Sequence, residues 1–219
     1  MSELFDSEAL SKVLETIDPA FSDPASLEVK PFSGGASNLT ARVTSGEKTL
    51  VVRRAPPGKK AATAHDMARE ARVLKAIKPH FKMVPEVFHI EEDSEVLGTP
   101  FFVMEHLNGH VPSSKMPVKI TPEQARKLCE NLVDLQADIH SLDLEATGLS
   151  NLGKPEGYVQ RQIEGWSKRY RDARTEDVPR AERVMEWLEK NRPTEVRASL
   201  IHNDFKLDNL VLSPDDPTE

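Results

Sequence analysis

Ile201-His202-Asn203-Asp204-Phe205-Lys206-Leu207-Asp208-Asn209-Leu210-Val211-Leu212 is the segment that constrains the fold most. Apolar runs close both ends, and a polar loop lies between them. Within the loop an acid, Asp204, is followed five residues on by an amide, Asn209. This pair suits phosphoryl transfer to a hydroxyl. Asp204 accepts the proton and orients the attacking oxygen, and Asn209 offers a side-chain oxygen to Mg²⁺, a hard cation that takes oxygen ligands. In this reading His202 shapes the loop rather than reacts. After Pro193 the chain is expected to be extended again at Ser199 to His202 and at Asn209 to Leu212, a small hairpin around the polar loop. The bland alternative is a loop that is only a polar turn between those strands, with Asp208-Asn209 as the turn.

Upstream of this loop, periodicity predicts helices. Leu128, Leu132, Leu135, Ile139 and Leu142 recur at steps of four and three, which predicts one long helix with a buried stripe from Pro122 onward. Two further helical stretches run near Gly157 to Ala173 and Pro179 to Lys190, carrying Trp166 and Trp187. Before Pro122 the pattern changes to strands. Leu27 to Phe32, Leu39 to Thr44 and Thr49 to Arg53 are separated by Ser33-Gly34-Gly35-Ala36-Ser37-Asn38 and by Ser45-Gly46-Glu47, and Ala55-Pro56-Pro57-Gly58 closes the third. Three strands with tight connections predict an antiparallel meander. A helix follows over Ala61 to Lys78, then strands over Glu86 to Glu91 and Pro100 to Glu105, with Asp93 to Gly98 between them. An N-terminal helix fits Ser7 to Ile17, capped by Asp6 or Ser7. The character changes around Leu107-Asn108-Gly109. We expect an N-terminal lobe over 1–107 and a helical lobe carrying the loop over 108–219, with a ligand cleft at the hinge.

In order and spacing these elements resemble the aminoglycoside-phosphotransferase-like family of small-molecule kinases, which includes choline-kinase-type enzymes. That family's loop reads His-Gly-Asp with an Asn after four further residues, and this chain reads His202-Asn203-Asp204 through Asn209. Asn203 departs where glycine is commoner, a mild change because asparagine tolerates unusual backbone angles. The segments Leu50-Val51-Val52-Arg53-Arg54-Ala55-Pro56-Pro57-Gly58 and His202 to Asn209 look most like the kinase domains linked to acyl-CoA dehydrogenases. The resemblance implies an α+β, protein-kinase-like bilobal fold: an antiparallel sheet plus helix in the N-lobe and a mostly helical C-lobe. It also implies ATP and Mg²⁺ as cofactors and a small-molecule hydroxyl as acceptor.

Further site residues follow from the resemblance. Gly34 and Gly35 would let backbone N–H groups approach phosphates. On the third strand Arg53, two residues from Val51 and so on its face, takes the place of the lysine that holds the α- and β-phosphates, with Arg54 left open as the alternative. Glu70, in Ala68-Arg69-Glu70-Ala71, is the acid expected to pair with it. Met104 lies at the back of the nucleotide pocket, and the Glu105 carbonyl and the Leu107 backbone meet the purine edge. The same family carries one more metal-binding aspartate shortly after the hairpin. Here the sequence ends at Ser213-Pro214-Asp215-Asp216-Pro217-Thr218-Glu219, where the acids look like turn residues. The expectation is an incomplete C-lobe, a piece of a longer kinase whose own activity is open.

Bulk properties narrow the alternatives. The 219 residues carry a net charge of −7, with 30% charged and 38% apolar residues, and the cations are scattered among acids. This excludes a dedicated nucleic-acid surface, which needs clustered cations. No apolar stretch predicts a membrane span, and one cysteine, Cys129, needs no oxidising compartment. A cytoplasmic protein is expected, with Cys129 as a packed thiol. Six histidines, His65, His80, His89, His106, His110 and His140, show no metal-ligand spacing. The run Arg169 to Arg174 reads as a solvated helix face. Two other readings compete: an inactive nucleotide-binding pseudokinase, and a metal-assisted hydrolase using His202, Asp204 and Asp208.

Overall fold

The structure, a computed structural model, describes residues 5–32, 38–56, 67–113, 115–195 and 197–219. Its five strands are β1 (Glu28–Pro31), β2 (Leu39–Ser45), β3 (Lys48–Arg54), β4 (Val87–Glu91) and β5 (Phe101–Glu105). They form one sheet in the order β1-β2-β3-β5-β4, antiparallel throughout. The predicted meander is present, and β5 then pairs with β3 before β4 closes the edge. The helices are α1 (Ser7–Leu14), α2 (Met67–Ile77), α3 (Ser94–Leu97), α4 (Pro122–Ser141), α5 (Tyr158–Ala173) and α6 (Glu182–Lys190).

Alternation along the strands assigns each side chain to a face. One face presents Ala41, Val43, Leu50, Val52, Phe101 and Val103 and is covered by Leu10 and Leu14 of α1, Phe21 and Leu97. The other presents Phe102 and Val87 and is covered by Met67 and Ala71 of α2. Both faces are dry, which is why Leu50, Val51 and Val52 form an unbroken apolar run rather than an alternating one. Asp6 caps α1, its carboxylate accepting from the N–H groups of Glu8 (2.8 Å) and Ala9 (3.2 Å). The Ser11 hydroxyl then donates to the Phe21 carbonyl at 2.7 Å and holds the following turn against the helix.

The connection between β4 and β5 contains a one-turn helix that the sequence reading treated as a plain link. Asp93 caps α3 through the Glu95 N–H at 2.8 Å, and Gly98 ends it in the left-handed region at φ 78°. Other expectations need correction. The stripe on α4 is fully buried only at Leu128 and Ile139, with Leu132 and Leu135 half-buried, and Leu142, also half-buried, falls just beyond the end of the helix. Cys129 is exposed, because it lies off that stripe.

The predicted hairpin after Pro193 does not form among the described residues. Leu207–Asn209 is instead a single 3-10 turn, and Leu212 pairs with His110. Two short runs without a third strand make a poor sheet. The His110 bridge supplies the backbone partners instead, through His110 N–H to Leu212 O at 2.9 Å and Leu212 N–H to His110 O at 2.8 Å. Gly109 permits it, since a methyl group there would overlap the Leu212 carbonyl oxygen.

The chain divides into two compact units, Met1–Ile139 with His202–Glu219, and His140–Ile201. The first holds the sheet, most of α4 and the loop around Asp204, and the Asn131 amide on α4 donates to the Thr218 carbonyl at 2.8 Å. In the second, Arg171 on α5 pairs with Glu182 on α6 at 2.6 Å, and Arg169 lies over the Trp166 ring at 4.8 Å. Glu195 accepts from the Gly157 and Val159 N–H groups at 2.7 and 3.0 Å, at the start of α5. Among the described residues no helix is long and apolar enough to cross a membrane.

Candidate active site

The loop from His202 to Asn209 is held by local hydrogen bonds. The chain turns at Asn203, whose φ of 63° lies in the left-handed region. Glycine would enter that region freely, and asparagine does so more readily than other residues. The Asp204 N–H then donates to His202 Nδ1 at 3.3 Å, and His202 packs edge-on against Phe205 at 5.7 Å. His202 thus braces the turn. The single turn at Leu207–Asn209 swings Asn209 back over Asp204. Its side-chain Nδ2 donates to the Asp204 carbonyl at 2.8 Å and to Asp204 Oδ2 at 2.9 Å.

This geometry has two chemical consequences. The Asn209 amide nitrogen is committed to Asp204, so Oδ1 is the atom that remains for a cation. The Asp204 carboxyl is held below the usual carboxylate range, first by the Asn209 amide and then by the nearby Lys206 charge. It is an ionised acceptor at neutral pH. Lys206 Nζ lies 3.5 Å from Asp204 Oδ2 and 3.4 Å from Asp208 Oδ2. Sequence reasoning gave Lys206 no role. Its signal was its place two residues from each acid, close enough for a four-carbon side chain to reach both.

The two adjacent arginines separate by face. Arg54 points to the α1 side, where it is 4% exposed. Its Nε donates to Thr99 Oγ1 at 3.1 Å, and its guanidinium lies 5.7 Å from the Phe5 ring centroid. Arg53 points to the α2 side. Its Nε meets Glu70 Oε1 at 2.8 Å, and Nη1 donates to Thr40 Oγ1 at 3.1 Å. The expected Arg53–Glu70 pair is therefore present as an ion pair, and Arg54 is committed to packing. Thr40, opposite Arg53 in the β2–β3 register, was not singled out from sequence.

At the end of β5, Met104 is half-buried against the α2 cluster of Met67, Ala71 and Phe102. The Glu105 carboxylate accepts from the Glu86 N–H at 3.0 Å and from Lys78 Nζ at 3.3 Å, tying the strand end to the loop before β4. Leu107 is 37% exposed beyond it. Gly34 and Gly35 lie outside the described residues, as does His65. Among the described residues no group of three or more His, Cys, Asp or Glu side chains is placed to hold a metal ion, so His202, Asp204 and Asp208 do not assemble the centre a metallohydrolase needs.

The phosphotransferase enzyme family model matches residues 28–219. Acyl-CoA dehydrogenase family member 11 of Homo sapiens is 34% identical over 213 residues, which cover 96% of this chain and 27% of that protein. A solved structure from Ralstonia eutropha JMP134, given the provisional name aminoglycoside phosphotransferase, superposes with a TM-score of 0.80 at 32% identity, over 97% of this chain and 62% of that one. A GDP complex of a mutant aminoglycoside 2'-phosphotransferase-IIIa shares the fold at 17% identity and a TM-score of 0.61, over 93% of this chain and 66% of that one. The chain spans 27% or less of the length of the curated relatives it matches. Its fold is α+β and kinase-like. Matched by one family model over nearly its whole length, the chain belongs to the phosphotransferase enzyme family.

Proposed function

We propose that this chain transfers the γ-phosphoryl group of ATP, bound with Mg²⁺, to a hydroxyl group of a small molecule. The observation that carries the reading is the Asn209 amide on Asp204, which leaves one carboxylate oxygen for a hydroxyl and one amide oxygen for a cation. That donor set fits Mg²⁺, which prefers oxygen ligands and keeps several waters. When bound, the cation neutralises charge on the phosphate oxygens.

The residues divide the work as follows. Glu70 and Thr40 fix the plane of the Arg53 guanidinium, whose fork is then set to meet the α- and β-phosphates without rearrangement. The end of β5, with Met104 and Glu105, and the turn after it, with Leu107, receive the purine. Asp204 accepts a hydrogen bond from the acceptor hydroxyl and then its proton, while the hydroxyl oxygen forms a bond to the γ-phosphorus. The bond from that phosphorus to the β,γ-bridging oxygen breaks, and the nucleoside diphosphate leaves. Catalysis of this kind is mainly positioning and charge stabilisation, which suits a site whose side chains are held by neighbours.

The acceptor we favour is the hydroxyl of a hydroxyacyl thioester. The likeness to acyl-CoA dehydrogenase family proteins supports that choice over an aminoglycoside, choline or a sugar. Incubation with γ-labelled ATP, Mg²⁺ and one member of each acceptor class tests it. Label is expected on the hydroxyacyl compound. Label on a different class would displace the acceptor assignment, and nucleotide binding without transfer to any hydroxyl would favour the inactive pseudokinase reading.

A further inference from the structure

Helix α2 meets the sheet through a charge at each of its ends. In its first turn Glu70 pairs with Arg53 on β3, the residue assigned to the phosphates. One residue past its last turn, Lys78 reaches Glu105, the last residue of β5 and part of the purine end of the site. The Lys78 N–H donates to the Leu74 carbonyl at 3.0 Å, which continues the helical bonding, so the side chain leaves from a fixed backbone.

A lysine ammonium group has three donors and no acceptor. Lys78 Nζ has three acceptors around it: the Val84 carbonyl at 2.7 Å, Glu105 Oε2 at 3.3 Å and the Lys82 carbonyl at 3.4 Å. Glu105 is gripped from the same loop. Its Oε2 also accepts from the Glu86 N–H at 3.0 Å, and its own N–H donates to the Glu86 carbonyl at 2.8 Å. Lys78 thus gathers the loop from 82 to 86, and that loop holds the backbone of Glu105. The ammonium group also offsets a carboxylate that would otherwise face an anionic nucleotide. Side chains 29% and 39% exposed make this pair a minor contributor to stability, so its weight falls on what the strand end binds.

We infer that Lys78 is a positioning residue for the nucleotide, fixing the purine end of the site through Glu105. This rests on the phosphotransferase reading above. Lys78 touches neither nucleotide nor acceptor. Because Glu70 and Lys78 belong to one helical segment, α2 sets the spacing between the guanidinium that meets the phosphates and the backbone that meets the base.

Calorimetric titration of ATP and of inorganic tripolyphosphate, which carries no base, each with Mg²⁺, tests this in wild type, Lys78→Met, Lys78→Arg, Glu105→Gln and the double variant Lys78→Met with Glu105→Gln. Lys78→Met should weaken ATP binding by ~5–20-fold and leave tripolyphosphate binding within about twofold of wild type. Lys78→Arg, which keeps the charge and the donors, should recover most of the loss. In the Glu105→Gln background, Lys78→Met should cost about twofold or less, because the group it acts through is already altered. Unchanged ATP affinity in Lys78→Met would overturn the assignment and leave the phosphotransferase reading standing. An equal loss for both ligands, or a full loss that persists in the Glu105→Gln background, would also overturn it. A Lys78→Met chain that no longer folds would do the same, by making the residue a support of the fold. Where tripolyphosphate binds wild type too weakly to measure, the cycle with Glu105 decides alone. If folded wild type binds neither ligand, the phosphotransferase reading fails and the Lys78 assignment falls with it.

Discussion

Arg53 and Arg54 are adjacent in sequence, and replacing each by alanine should have opposite consequences. Arg54 is 4% exposed, donates to Thr99 and lies over Phe5. Its removal forfeits a charged hydrogen bond, worth ~1.5–3 kcal/mol, and a cation–π contact, worth ~0.5–2 kcal/mol. It also leaves a gap on the α1 side of the sheet. Part of this is returned, because a guanidinium is costly to bury, and burial already pushes the Arg54 pKa down. Arg54→Ala should therefore lower the unfolding free energy by ~2–4 kcal/mol. Arg53 has a side chain 31% exposed beside a Glu70 that is 36% exposed, so their ion pair contributes under ~1 kcal/mol. Arg53→Ala should leave stability nearly unchanged and weaken ATP binding by ~10–100-fold. Urea denaturation followed by far-ultraviolet circular dichroism reads the first quantity, and calorimetric titration with ATP reads the second. Equal stability losses would refute the assignment of faces. So would a folded Arg54→Ala protein that no longer binds nucleotide while Arg53→Ala still does.

Other substitutions probe the loop and its surroundings. Asn203→Val places a β-branched residue at φ 63° and should cost ~1–2 kcal/mol by urea titration, whereas Asn203→Gly should fold with little loss. Gly109→Ala sets a methyl group against the Leu212 carbonyl; hydrogen exchange should show loss of protection at His110 and Leu212, with a stability cost of ~1–3 kcal/mol. Asp204→Asn should reduce transfer by ~10²–10⁴-fold in a coupled ADP-release assay, with ATP affinity retained. Glu195 is held below its usual value of 4.5, first by the Gly157 N–H and then by that of Val159. A depressed carboxylate pKa stabilises the fold above 4.5 and loses that contribution as pH falls through the folded value. Circular dichroism should show the start of α5 fraying below about pH 4.5 in wild type, and Glu195→Gln should abolish the pH dependence.

Much of this architecture was legible because its signals are local. Strand alternation, turn residues at Gly46 and Pro56, and the Pro122 helix start each act over a few residues, and the structure follows them. The Arg53–Glu70 pair was also within reach, since the family resemblance implied the acid and strand alternation put Arg53 on the face of Val51. What sequence could not supply was the identity of the cover on each face. Only α1 lying against Leu50 and Val52 explains why Arg54 is the buried arginine. The hairpin failed for a related reason. Both runs around Asp204 are apolar enough for strands, but a ladder needs partners, and Leu212 finds its partner at His110, far away in sequence. The α4 stripe shows a similar limit: spacing reports which residues share a face, and burial depends on what lies against them. Lys206 escaped notice because a lysine among acids reads as a solvated surface until distances place it on Asp204.

Calorimetric titration of ATP into wild type and Asn209→Ala, each with Mg²⁺ and with EDTA, addresses the nucleotide site most directly. Wild type should bind ATP with an affinity that rises when Mg²⁺ is present, and Asn209→Ala should lose that rise while still binding the nucleotide. ATP binding that ignores both Mg²⁺ and Asn209, or no binding by a folded wild-type protein, would contradict the assignment of this loop to phosphoryl transfer.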